Sequence, residues 1–131
     1  MKNRISDYVA LVCIAGIMLV VFLVLVPGTA RAEIVQIPVE DCVNYADSYE
    51  NVVQWRKGGF SAVDGRAYYD SQIPPYESLP LDGQMVVRIV HQQIKEVYAI
   101  PEEKFEAMTP EMLAVEALRM CHKNGGKIEI K

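Results

Sequence analysis

Cys42 and Cys121 are the residues whose type and setting point most directly to a reaction, and that reaction is oxidation to each other. Neither belongs to a Cys-x-x-Cys pair, which argues against a redox-active thiol, and no histidine stands at metal-ligand spacing from them, which argues against zinc. Joined, they close a loop of about 80 residues, for which the chain-entropy model gives roughly 4.5 kcal/mol. The other reactive side chains form no catalytic set. His91 and His122 are isolated on helices, where surface or core placement is the commoner role. Ser61, Ser71 and Ser78 lack a Gly-x-Ser-x-Gly context. Gly58-Gly59 and Gly125-Gly126 follow helical patterns rather than precede them, as terminators do and phosphate cradles do not. Glu102, Glu103 and Glu106 read as a solvated acidic face. No catalytic residue, metal or cofactor is assigned.

For binding, the aromatic residues carry the argument. Tyr45, Tyr49, Trp55, Phe60, Tyr68, Tyr69 and Tyr76 fall within one stretch of the chain. Tyr and Trp combine apolar area with a polar tip and are enriched at interface hot spots. The run Tyr68-Tyr69-Asp70-Ser71-Gln72-Ile73-Pro74-Pro75-Tyr76 is stiffened by proline, which lowers the entropy lost on binding. Tyr68, Tyr69 and Tyr76, with Trp55, are therefore the candidate binding residues. The competing reading is that Tyr45, Tyr49 and Phe60 are core and that the loop tyrosines fold back over a small hydrophobic centre.

The segment 1–32 reads as an export signal: Lys2 and Arg4, then 19 uncharged residues from Tyr8 to Val26, then Ala30-Arg31-Ala32. Cleavage is expected between Ala32 and Glu33, leaving residues 33–131 as one exported domain. The alternative is a retained anchor, because an apolar run of this length also suits a membrane span. The leading basic residues place the domain on the outer side in both cases. Val12 before Cys13 does not suit a lipid-modified cysteine.

Removing Lys2, Arg4, Arg31 and Asp7 from the 13 basic and 17 acidic residues leaves 10 and 16, a net charge near -6. Nucleic acid is thereby an improbable partner, since phosphate contacts need a basic face. Acidic residues gather between Glu33 and Glu50, and basic ones in Arg119, Lys123, Lys127 and Lys131, so the two ends of the domain should attract.

These residues must be positioned by helices. Pro38 with Glu40 and Asp41 opens the first, expected to run to about Lys57 with Cys42, Tyr45, Ala46, Tyr49, Val52, Val53 and Arg56 on one stripe. Ser61 and Asp64 form a weak cap for a short second helix through about Tyr69. Residues 70–81 hold Pro74, Pro75 and Pro80 and read as an ordered loop. Asp82 is the expected cap of a long helix with Val86, Val87, Val90, Ile94, Val97 and Tyr98 on its apolar side, stopped by Pro101. Thr109-Pro110-Glu111 opens the last helix, in which Leu113, Ala114, Ala117, Leu118 and Cys121 share a face. Residues 33–37 and 127–131 suit either a two-stranded pairing or a frayed tail. The fold class is thus mainly α: a small bundle of three to four helices with one disulfide clamping the first to the last.

The order Cys42-Val43-Asn44-Tyr45-Ala46, Arg56 with Gly58-Gly59, Val97-Tyr98 with Pro101, then Cys121 resembles small exported two-cysteine helical proteins of proteobacteria and their phages, whose functions are largely unassigned. The acid-stress periplasmic chaperones are similar in size, helicity and single disulfide. Here the cysteine spacing is long and the lysine-rich tail of those chaperones is missing. The leading expectation is a non-enzymatic periplasmic or secreted protein, a protein-binding or envelope-stress module with an envelope protein as partner. A single-span inner-membrane accessory protein whose domain faces the periplasm is the alternative. An enzyme with an unrecognised site is the third reading.

Overall fold

The computed structural model describes residues 32–131, a single unit by its internal contacts. The expected export signal and its apolar segment lie outside the described residues. Within them, β1 (Glu33–Gln36) leads through a 3-10 turn (Val39–Asp41) into α1 (Cys42–Lys57), then α2 (Ala62–Ser71), a second 3-10 turn (Tyr76–Ser78) and α3 (Leu81–Ala99). The chain finishes with the short α4 (Glu102–Glu106), α5 (Pro110–Lys123) and β2 (Lys127–Ile130). The mainly helical bundle with one disulfide is therefore the fold. No helix among the described residues is long and apolar enough to cross a membrane.

Local chemistry explains most boundaries. Ser61 and Asp64 make a reciprocal capping box: the Asp64 N–H donates to Ser61 Oγ at 3.1 Å and the Ser61 N–H to Asp64 Oδ2 at 3.3 Å. Thr109 Oγ1 accepts from the Met112 N–H at 3.3 Å, with Pro110 in the first turn. Both glycine pairs end their helices with the same six-to-one closure, Phe60 N–H to Trp55 O at 3.0 Å and Gly126 N–H to Cys121 O at 2.9 Å. Gly59 (φ 90°), Gly125 (φ 62°) and Gly126 (φ 80°) supply the left-handed backbone that this closure needs. Gly126 has a second reason to be glycine, since its carbonyl accepts from the Ile37 N–H at 2.9 Å and a Cβ there would collide with the Ile37 carbonyl oxygen.

Several boundaries differ from expectation. Pro38 precedes a 3-10 turn rather than opening α1, which starts at Cys42. Pro80, not Asp82, holds the cap position of α3; Asp82 lies in the first turn, where its Oδ1 accepts from the Gly83 N–H at 3.0 Å. Val86 is exposed, because the buried stripe of α3 runs instead through Val87, Ile89, Val90, Gln93, Ile94 and Val97. The proline-rich stretch is not wholly irregular. Pro75 O accepts from the Ser78 N–H at 2.9 Å and closes one 3-10 turn. α4 was not anticipated; Pro101 starts it as well as stopping α3, and it exists to place Phe105 in the core.

Two packed clusters make the core. In one, Tyr49, Val52 and Val53 of α1 meet Val90, Ile94 and Val97 of α3 and Phe105 of α4. The other gathers Val35, Ile37, Ile89 and Ile128 around the bonded Cys42 and Cys121, whose Cα atoms are 5.7 Å apart. α5 returns along α1, so the bond joins the first residue of α1 to the last turn of α5. The expected seam clamp is present. β1 and β2 pair antiparallel with Val35 opposite Ile128, which settles the choice between pairing and fraying in favour of pairing. The burial pattern gives the reason: Val35 and Ile128 share the inner face and cover the disulfide.

Candidate functional site

α2 and α3 lie side by side in opposite directions, and the four candidate binding residues all stand near their contact. They do not form one surface. Tyr68 and Tyr69 are neighbours on a helix, so their side chains leave about 100° apart. Tyr68 turns toward α1, where it meets Trp55 edge-on (5.7 Å between centroids) and stacks on Phe60 (6.0 Å). Tyr69 turns to α3 and meets the His91 ring edge-on at 6.1 Å. Tyr76, on its 3-10 turn, lines a cavity of about 590 Å³ whose other walls include Arg66, Asp70, Pro74, Arg88 and His91.

The aromatic trio has a physical foundation. Trp55 is half-buried, and its indole rests on α2 at Gly65: a Cβ at this buried glycine would stand 3.4 Å from Trp55 Cε3. Tyr98 Oη donates to the Phe60 carbonyl at 2.7 Å and fixes the α1–α2 turn against α3. Phe60 is 44% exposed, Tyr68 47% and Val63, one turn along α2, 77%. Phe60 is thus not core, contrary to the competing sequence reading, whereas Tyr49 is. Phe60 and Tyr68, stacked beside Trp55, leave an aromatic face exposed among the described residues, whereas Val63 turns to another side of α2, toward Arg66 and Lys95.

On the other side of α2, His91 Nε2 and Asp70 Oδ1 are 2.7 Å apart, and Arg66 Nε is 3.9 Å from Asp70 Oδ2. His91, isolated in the sequence, is therefore one half of a polar pair that ties the end of α2 to the middle of α3. Burial raises the Tyr69 phenol above its usual value, and the charge of Asp70 raises it further. No linear signal marks this pair, because 21 residues separate its members and only the antiparallel packing brings them together.

A second polar group also has no linear signal. The Tyr45 hydroxyl donates to Tyr49 Oη at 3.3 Å, the Tyr49 hydroxyl donates to Glu96 Oε2, and Gln92 Nε2 donates to Glu96 Oε1 at 2.9 Å. Burial chiefly, then Tyr45 and Glu96, pushes the Tyr49 phenol far above its ordinary value. This relay borders an open groove of about 370 Å³ between α1, α5 and β2. Within the relay the proton stays on Tyr49, whose hydroxyl donates to Glu96. No cluster of three or more metal-ligating side chains exists among the described residues.

No protein-family model, curated protein or solved structure matches the chain.

Proposed function

We propose that this chain is a non-enzymatic protein of the bacterial envelope whose exported domain, residues 33–131, binds another envelope protein through the face formed by Trp55, Phe60 and Tyr68. The uncovered aromatic face carries the reading. Two stacked rings held half-exposed on an indole offer large, already ordered apolar area, the property that lets a few residues dominate an interface. The buried Cys42–Cys121 bond supports an oxidising compartment, because such bonds persist outside the reducing cytosol. The resemblance to small exported two-cysteine proteins points the same way.

A photo-crosslinking residue in place of Tyr68, activated in growing cells, tests the interaction. A defined adduct with a second protein, lost when Phe60 is changed to Ser, is the expected outcome. An adduct only with another copy of the chain, or none, overturns the reading. The uncharged run from Tyr8 to Val26 favours a second reading, a single-span anchor with the same outward domain. Intact mass separates the two: a soluble species beginning at Glu33 that accepts two alkyl groups only after reduction supports export and cleavage. A full-length species in the membrane fraction supports the anchor.

A further inference from the structure

Four basic side chains of this acidic domain, with His91, meet at one cleft. α3 carries Arg88, His91 and Lys95 at three- and four-residue steps, which sets them on one stripe. α2 brings Arg66 beside that stripe. The end of β2 brings Lys131, whose backbone N–H donates to Gln92 Oε1 at 3.3 Å. Four of the ten Lys and Arg residues of 33–131 thus line one cleft of about 450 Å³, with Val63 and Ile130 in its walls. No Asp or Glu side chain lines this cleft among the described residues.

Two carboxylates, Glu33 and Asp70, reach its basic side chains from the margin. Glu33 accepts from both terminal nitrogens of Arg88, and that bond holds the Glu33 carboxyl below the ordinary range. Asp70 is engaged by His91 and approached by Arg66. Lys95 and Lys131 make no ion pair among the described residues. Like charges brought together repel one another, and in a domain with 16 carboxylates neutralising partners are plentiful elsewhere. Their gathering around a cleft with apolar walls therefore specifies a ligand with two parts. Cations converging from three elements suit a phosphate, which offers several oxygens in different directions. Apolar side chains beside them suit a hydrocarbon portion.

We propose that this cleft binds a monomeric phosphate-bearing amphiphile, with the phosphate held by Lys95, Lys131 and Arg66 and the alkyl portion lying on Val63 and Ile130. This site is independent of the protein-binding reading, because Trp55, Phe60 and Tyr68 lie toward α1 and none of them lines the cleft.

Calorimetric titration of the disulfide-bonded protein with dodecyl phosphate, below the concentration at which it forms micelles, tests the proposal. Saturable one-to-one binding that weakens with added salt is expected. Inorganic phosphate should bind at least about tenfold more weakly, and the K95E/K131E variant should lose at least about tenfold in affinity for dodecyl phosphate. V63D should lose about fivefold, whereas K123E, on α5 and away from the cleft, should stay within about twofold. All four substituted side chains are exposed, so circular dichroism should report an unchanged fold. Affinity undiminished in K95E/K131E, inorganic phosphate binding as tightly as the amphiphile, or binding to phosphatidylglycerol vesicles with none to dodecyl phosphate would each overturn the assignment.

Discussion

The half of the domain around Cys42–Cys121 and the half built on α2 are held by different kinds of contact. In the first, a covalent bond, a strand pair and the tight Gly126 turn fix backbone to backbone, and Val35, Ile37 and Ile128 cover the bond. In the second, α2 is attached by side chains: Ala62 and Tyr69 rest partly buried on the core, Trp55 sits on Gly65, Tyr98 on the Phe60 carbonyl and His91 on Asp70. Gly65 is the one buried residue of α2. Regions with few buried apolar contacts open at low free energy, and binding surfaces are drawn from them. The difference assigns rigidity to one half and recognition to the other: the aromatic face lies on the second, and the basic cleft lies where α2 and α3 meet the end of β2.

Removing the staple should break the comparison most strongly. The C42A/C121A variant is expected to lose up to about 4.5 kcal/mol, or roughly 20 °C in Tm for a domain of this size. Loss should concentrate in β1, β2 and the last turn of α5, read as amide exchange in those segments rising to match α2. An unchanged Tm would mean that packing of the second cluster, not the bond, holds the ends together.

Arg56 gives the next largest effect and tests the link between the halves. Its side chain, 12% exposed, donates through Nη1 to the Val97 and Ile100 carbonyls at 2.7 and 2.9 Å, closing the end of α3. Its guanidinium also stands 3.9 Å from the centroid of Phe105. Arg56→Ala should cost about 2 to 3 kcal/mol, from charged hydrogen bonds and lost aromatic contact. Glu102→Ala should cost less than about 1 kcal/mol, because that partner is 70% exposed. Denaturant midpoints of the two variants check the order.

The same division governs what the sequence discloses. Caps, terminators and the cysteine pair are local or unique signals, so Ser61–Asp64, Thr109–Pro110, both glycine pairs and the clamp of α1 to α5 were legible. The face of α3 was only partly so. Gln93 is 1% exposed yet polar, and its place in the core depends on the Tyr45 carbonyl and Ser48 hydroxyl across the helix interface, at 3.0 and 2.7 Å. No pattern of apolar residues announces such a partner. Composition located the aromatic stretch, but pairing Tyr68 with Trp55 and Tyr69 with His91 required knowing which way α2 packs. The basic cleft was hidden for the same reason, since Arg66, Arg88, Lys95 and Lys131 are dispersed along the chain and converge only in the fold.

The Tyr49 relay offers the smallest and most specific test, because it belongs to the shared core rather than to either half. Burial raises the folded-state value of this phenol above its unfolded value of about 10. Its contribution is therefore fully present below about pH 10 and is lost as pH rises further, because the unfolded chain releases the proton first. Each such phenol should lower stability by up to about 1.4 kcal/mol per pH unit above that point. Tyr45, also raised mainly by burial, adds to the slope. Tyr49→Phe should cost about 1 kcal/mol at neutral pH, where its hydrogen bond to Glu96 is lost. It should also flatten the alkaline decline by one proton's worth, measured as denaturant stability in steps from neutral to alkaline pH. A slope unchanged by the substitution would place the titrating phenols elsewhere, with Tyr69 at the α2–α3 contact the next to test. The loosely held half would then be the one that fails first in alkali.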